Sequence, residues 1–133
     1  MEINSEFILY VSDQKKSRDF YARILDIEPV LDVEGMTEFQ LSVKTKLGLM
    51  PYKGIRKILN EDIPDPESAN GVPRCEIYLL SETAGEYCLR AKAAGAAEIS
   101  PLGKRDWGDS AAYYSDPDGH VIVFAEKFTK EEK

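Results

Sequence analysis

A strand-like run closed by a serine and an acid occurs twice in this chain, the second copy 69 positions after the first. Glu6-Phe-Ile-Leu-Tyr-Val-Ser-Asp13 lies over Cys75-Glu-Ile-Tyr-Leu-Leu-Ser-Glu82. Aromatic and branched residues suit each run to a pleated surface, and a serine beside an acid suits the start of a helix. The same offset brings Asp26 over Gly95, where each helix should end, and Val30 over Ile99 in the strand that follows. Few residues are identical across it, Ile8/Ile77 and Ser12/Ser81 among them. The repeat is therefore one of punctuation, and it constrains the chain to two copies of a strand–helix unit.

Alternation in the first strand places Phe7, Leu9 and Val11 on one face and Glu6, Ile8 and Tyr10 on the other. Asp13 is the expected N-cap of a helix whose apolar stripe is Phe20, Tyr21, Ile24 and Leu25, and Pro29 blocks its continuation. Three strands are expected over 28–34, 37–43 and 45–50, with Gly35 at a hairpin turn. The segment 52–72 reads as a linker or a lid, punctuated by proline and glycine, with one helical turn at Gly54–Leu59. In the second half the helix spans about Ala84–Ala94, capped by Gly95. A strand then runs to about Ser100, a polar loop covers Pro101–Asp109, and strands follow at Ala111–Ser115 and His120–Glu126. Asp116-Pro-Asp-Gly119 is a tight turn into the last of these, and Thr129–Lys133 is a solvated tail.

Ser12-Asp13, Phe20-Tyr21, Ala93-Ala-Gly95-Ala96, Trp107-Gly108 and Asp116-Pro-Asp-Gly119 occur in that order from about Glu6 to Glu126. In this the chain resembles the vicinal oxygen chelate superfamily of glyoxalases, bleomycin resistance proteins and extradiol dioxygenases. Asp26 stands where that family usually has glycine. The resemblance implies an α+β fold of two βαβββ modules, about 4–51 and 73–127, with curved, mainly antiparallel sheets around a cleft and helices outside. It also implies a metal-ligand position on the first and last strand of each module. By register these are Glu6, Gly48, Cys75 and Val123. Glycine and valine have no donor, and a carboxylate plus a thiol is too small a set for a divalent ion, so no metal and no cofactor is expected. His120, the one histidine, belongs to the turn.

Without a metal such a cleft is still a pocket. Its expected ligand-binding lining is Glu6, Ile8, Tyr10, Leu49, Cys75, Ile77, Leu79 and Val123, mostly apolar with one acid, plus Trp107 as a stacking platform. For each apolar residue, plain core packing is the competing reading, and for Trp107 the competitor is a loop anchor. Arg56, Arg74 and Arg105 read as solvated, and Cys75 lacks the neighbouring base a nucleophile needs.

A net charge of −7 argues against nucleic acid. The first residues carry no basic, apolar leader and no stretch is long enough to span a membrane, so a cytoplasmic protein is expected. Cys75 and Cys88 read as reduced thiols. The expected function is sequestration of a partly apolar or aromatic small molecule by a homodimer. The alternatives are a metal-dependent lyase, transferase or dioxygenase, and a non-catalytic accessory or self-association protein.

Overall fold

The structure, a computed structural model, describes residues 2–128; the tail expected at 129–133 lies outside the described residues. The first half runs β1 (Ser5–Val11), α1 (Gln14–Leu25), β2 (Leu31–Val33), β3 (Met36–Ser42) and β4 (Thr45–Pro51). Next come α2 (Tyr52–Leu59) and a single 3-10 turn at Pro66–Ala69. The second half runs β5 (Glu76–Leu80), α3 (Ala84–Ala93), β6 (Ala97–Lys104), β7 (Asp109–Ser115) and β8 (Val121–Lys127). The chain divides after Asn70 into two compact units, each built around a βαβββ module. Each unit holds one four-stranded sheet, ordered β1-β4-β3-β2 in the first and β5-β8-β7-β6 in the second. In both, the first and last strands of the module are parallel neighbours and the other pairs are antiparallel.

In the first unit the Asp13 carboxylate accepts from the Lys16 amide at 3.0 Å and starts α1. Asp26 ends it in the left-handed region, φ 57°, and its amide bonds back to the Ala22 carbonyl. Aspartate tolerates that conformation, which is why the usual glycine is dispensable here. The stripe Phe20, Tyr21, Ile24 and Leu25 is buried, as are Leu9, Val11, Phe39, Leu47 and Leu49 of the sheet. Two polar contacts fix which sheet face α1 covers. Gln14 Nε2 donates to Thr37 Oγ1 at 2.9 Å, and the Arg18 guanidinium meets Asp32 at 2.9 Å. Thr37 pairs with Leu49 and Asp32 with Thr37, so α1 lies on the Leu49 face.

In the second unit α3 buries Ala84, Cys88 and Ala91. Tyr87 stacks on Phe124 with ring centroids 5.7 Å apart, which places α3 on the Phe124, Ile122 and Tyr114 face of its sheet. Burial pushes both the Cys88 thiol and the Tyr114 phenol up, and the two groups are hydrogen-bonded.

Two elements differ from expectation. The segment after β4 forms two turns of helix rather than one, with Ile55 buried. The strand expected to stop at Ser100 continues through Pro101 to Lys104. β6 is an edge strand, where proline's missing donor leaves no ladder bond unmade, and irregularities between Glu98, Ser100 and Gly103 absorb the fit. The connection to β7 is thus only residues 105–108.

The turn at 116–119 is built by one side chain. Asp116 Oδ1 accepts from the Asp118 and His120 amides at 2.9 and 2.8 Å. Gly119 completes it at φ +91°, pressed so closely on Gly71 that a Cβ would stand 2.5 Å from the Gly71 carbonyl oxygen.

Candidate functional site

Sheet pairing sorts the candidate residues between faces, since paired residues project to the same side. In the first unit Ile8 pairs with Gly48, Glu6 with Lys46, Tyr10 with Met50 and Glu38 with Gly48. These residues make up the face opposite α1. Glu6, Ile8 and Tyr10 therefore share one face, as alternation requires. Leu49 does not join them: it pairs with Leu9, is fully buried, and belongs to the core under α1. That corrects its assignment to a ligand-binding lining.

Glu6 is the distinctive group on this face. A Cβ on residue 48 would lie 2.5 Å from Glu6 Oε2 and 3.0 Å from Ile8 Cγ1, so the carboxyl occupies space that only glycine leaves open. Glu6 Oε2 is buried and no protein donor reaches it. Burial first, then hydrogen bonding to Glu38 and its like charge, raises the Glu6 pKa; Lys46 opposes them. Lys46 Nζ itself lies 3.4 Å from Glu38 Oε1. Glu38 and Lys46 are members of the site that the sequence reading missed. The signal was present: Glu38 alternates with buried Phe39, so it must face away from α1.

In the second unit the register is shifted by one residue from the expected one. Val123 pairs with Tyr78, Ile77 with Ile122 and Leu79 with Phe124. Ile77 and Leu79 are therefore on the α3 face, and their expected place in the lining is corrected. Cys75 precedes β5 and is exposed, so the strand position matching Glu6 is Glu76 instead. Val123 does face away from α3, packed with Ala111 and Ala125 beneath Tyr78, Tyr113 and Val121.

That same face carries a hydrogen-bonded chain that was not anticipated. Trp107 Nε1–H donates to the Tyr78 hydroxyl at 2.8 Å, and the Tyr78 hydroxyl donates to Asp109 Oδ2 at 2.6 Å. Burial and the Asp109 carboxylate raise the Tyr78 pKa, against the indole donor, so the phenol keeps its proton. Trp107 remains 58% exposed although its N–H is tied to Tyr78. Arg105 secures the base of the turn, with Nη2 donating to Ala111 O, Pro101 O and Ser100 Oγ at 2.7, 2.9 and 3.0 Å. Its guanidinium also lies over the Tyr113 ring.

This module architecture has a counterpart among known families. The model of the glyoxalase/bleomycin resistance protein/dioxygenase superfamily matches residues 5–124. The chain belongs to that superfamily. Solved structures agree on the fold. A glyoxalase-related enzyme from Fulvimarina pelagi superposes with a TM-score of 0.79 at 18% identity, over 96% of this chain and 89% of the other. A glyoxalase/bleomycin resistance protein/dioxygenase family enzyme from Burkholderia phytofirmans gives 0.80 at 14% identity, over 96% and 100%. A hypothetical protein from S. aureus gives 0.75 at 23% identity, over 95% and 94%. At these identities the likeness is one of fold alone. No curated protein matches the sequence.

Metal-bearing members of the glyoxalase superfamily need a set of donors on the strands described above, and this chain does not supply one. Gly48 and Val123 have no donor atoms, and the space in front of Gly48 holds the Glu6 carboxyl. Among the described residues no group of three or more His, Cys, Asp or Glu side chains is arranged to hold an ion. The residues therefore do not fit a resident divalent metal. An open groove does occur elsewhere, beside the start of α1, lined by Asp13, Gln14, Arg18, Asp32 and neighbours. Its Gln14, Arg18 and Asp32 are engaged in holding α1 to β2 and β3. No helix among the described residues is long and apolar enough to cross a membrane.

Proposed function

We propose that the chain is a metal-independent small-molecule-binding protein of the superfamily, acting as a cytoplasmic homodimer and sequestering a partly apolar or aromatic ligand. The observation that carries this reading is the Glu6 carboxyl, set over a glycine, beside Ile8, with one buried oxygen that no protein donor reaches. A buried, unmatched carboxyl oxygen is costly, and a ligand bringing a hydrogen-bond donor or a positive charge removes that cost. Tyr10 and Ile8 on the same face supply apolar contact. Self-association is supported by the edge strands: β1 and β5 are each paired on one side only, and Phe7, Ile8 and Leu80 on them are exposed.

The test is a thermal-shift screen of aromatic amines against matched neutral aromatics, with and without EDTA, together with light scattering. Binding should raise the melting temperature as RT ln(1 + [L]/Kd) requires, EDTA should leave the shift unchanged, and scattering should give a dimer. Glu6→Gln should weaken amines more than neutral compounds. Stoichiometric zinc, nickel or iron with EDTA-sensitive turnover would replace this reading by the metal-dependent lyase, transferase or dioxygenase. A dimer that no compound stabilises would replace it by an accessory, self-associating protein.

A further inference from the structure

Among the described residues three that are not glycine have positive φ, and two of them, Asp26 and Asn70, sit in the ordinary left-handed helical region. The third, Asn60, does not: it ends α2 with φ 44° and ψ −130°. Strain of this kind persists only where the surroundings hold it. Here the Asn60 backbone N–H donates to the Arg56 carbonyl at 2.8 Å, Ile55 anchors α2 by its burial, and the Arg56 guanidinium is paired with Asp65 across the loop.

That conformation brings a nucleophile to an electrophile. On an L-configured Cα the nitrogen and Cβ stand a third of a turn apart, so ψ −130° turns the Glu61 nitrogen almost into eclipse with the Asn60 Cβ. The Glu61 N–H donates to Asn60 Oδ1 at 2.6 Å, which puts the two groups in contact. We propose that Asn60 is a self-modification site, where the Glu61 nitrogen closes on the Asn60 carboxamide to form a cyclic imide. The N–Cγ bond forms while the Glu61 N–H proton passes to the Oδ1 that already accepts it. As the carbonyl re-forms, the side-chain nitrogen leaves with that proton as ammonia, and no oxidant or co-reactant is needed. Asn60 and Glu61 are exposed, so water then opens the ring at either carbonyl, giving aspartate or isoaspartate. Glu61 and Asp62 place negative charge beside the ring, which repels hydroxide and slows that opening. The closed ring holds ψ where α2 already ends, so it stiffens the exit from the helix without bending it.

Asn70 is the counter-case. It precedes Gly71, the neighbour that obstructs attack least, and it too is exposed. Its ψ of 43°, however, sets the Gly71 nitrogen nearly opposite its own Cβ. Held geometry therefore favours Asn60 in the folded protein, whereas the glycine favours Asn70 in the unfolded chain.

Both asparagines lie in one tryptic peptide, Ile58–Arg74, so fragment ions of a single peptide read both. The full chain is aged folded and in guanidinium chloride, then digested at mildly acidic pH, where an imide survives. In the folded protein Asn60 should lose ammonia ahead of Asn70. It should do so roughly five- to 150-fold faster than Asn60 does in denaturant, the factor for a strained conformation already held. In denaturant Asn70 should lead. Hydroxylamine should cut the aged folded chain between Asn60 and Glu61. Asn60→Gly, which accepts the same backbone without a side chain, should abolish both the cut and the loss of ammonia at that position. An Asn60 that stays intact, or that reacts behind Asn70 in the folded protein or equally fast in denaturant, overturns the proposal. Conversion of Asn60 to aspartate with neither imide nor isoaspartate overturns the ring closure, because direct hydrolysis alone gives that pattern.

Discussion

Gly119→Ala measures how tightly the turn at 116–119 is held against Gly71. Gly119 has φ +91°, a conformation that costs an L-residue about 1–2 kcal/mol. The new Cβ would also meet Gly71 backbone atoms at 2.5, 2.9 and 3.0 Å. Backbone cannot swing aside as a side-chain end can, so an overpacking cost of about 1–3 kcal/mol adds to the first. The control is Gly95→Ala in the same unit, at φ +95° with no heavy atom within 4 Å of the added carbon. Both variants share the conformational cost and the stiffening of the unfolded chain, so their difference isolates the contact with Gly71. That difference should be about 1–3 kcal/mol, or roughly 4–12 °C in melting temperature for a chain of this length. Urea unfolding followed by Trp107 emission reads the second unit, which contains both glycines. The m-value should stay constant while the midpoint falls. Equal losses in the two variants would refute the claim that the Gly119–Gly71 approach is sterically filled.

Stability should also depend on Glu6. Its pKa is raised in the folded state, mainly by burial, so the fold binds this proton more tightly than the unfolded chain does. As pH rises from the ordinary glutamate value through the raised one, folding stability falls. Glu6→Gln lacks that loss, so its stability relative to wild type should grow between about pH 4 and pH 7; urea midpoints that show a constant or shrinking difference would defeat the argument. The face assignment is tested by comparing Leu49→Ala with Ile8→Ala. Leu49 is fully buried under α1 and its truncation should cost about 2–5 kcal/mol, whereas Ile8, 38% exposed, should lose clearly less. Comparable losses by chemical denaturation would mean that the two side chains do not occupy opposite faces.

The order of elements was legible because helix caps and turns are local chemistry. Ser12-Asp13, the αL stop at Asp26 or Gly95, and Asp116-Pro-Asp-Gly119 each act within a few residues. Strand parity in the first unit was legible for a similar reason, since Glu6 and the buried residues Leu9 and Val11 break the symmetry of β1. In the second unit Ile77-Tyr78-Leu79-Leu80 is apolar on both faces, so alternation carries no sign, and only pairing with β8 decides it. The matched serines 12 and 81 then set the offset at 69, whereas the sheet faces and the helix starts at Asp13 and Thr83 agree at 70. That one-residue slip moved Ile77 and Leu79 to the wrong side and hid Tyr78. Leu49 and Gly48 were assigned to one lining although neighbours in a strand project to opposite faces, an inconsistency of parity within β4. Pro101 was read as a strand end because its tolerance at a sheet edge depends on which strand lies outermost, a property of the assembled sheet.

The parallel neighbours β1–β4 and β5–β8 also set when each unit can be completed on the ribosome. Ser5 pairs with Thr45 and Glu76 with Val121, so each sheet joins partners 40 and 45 residues apart, while its other strands pair across short hairpins. Local hairpins close early, but the first strand of a module must wait until the last has emerged, because closing the longer loop carries the larger entropy. Until then an apolar strand, Phe7-Ile-Leu-Tyr-Val11 in the first unit, has no ladder to join. The nascent chain is thus most open to wrong pairing at the first strand of each module, and emergence of that module's last strand ends the exposure.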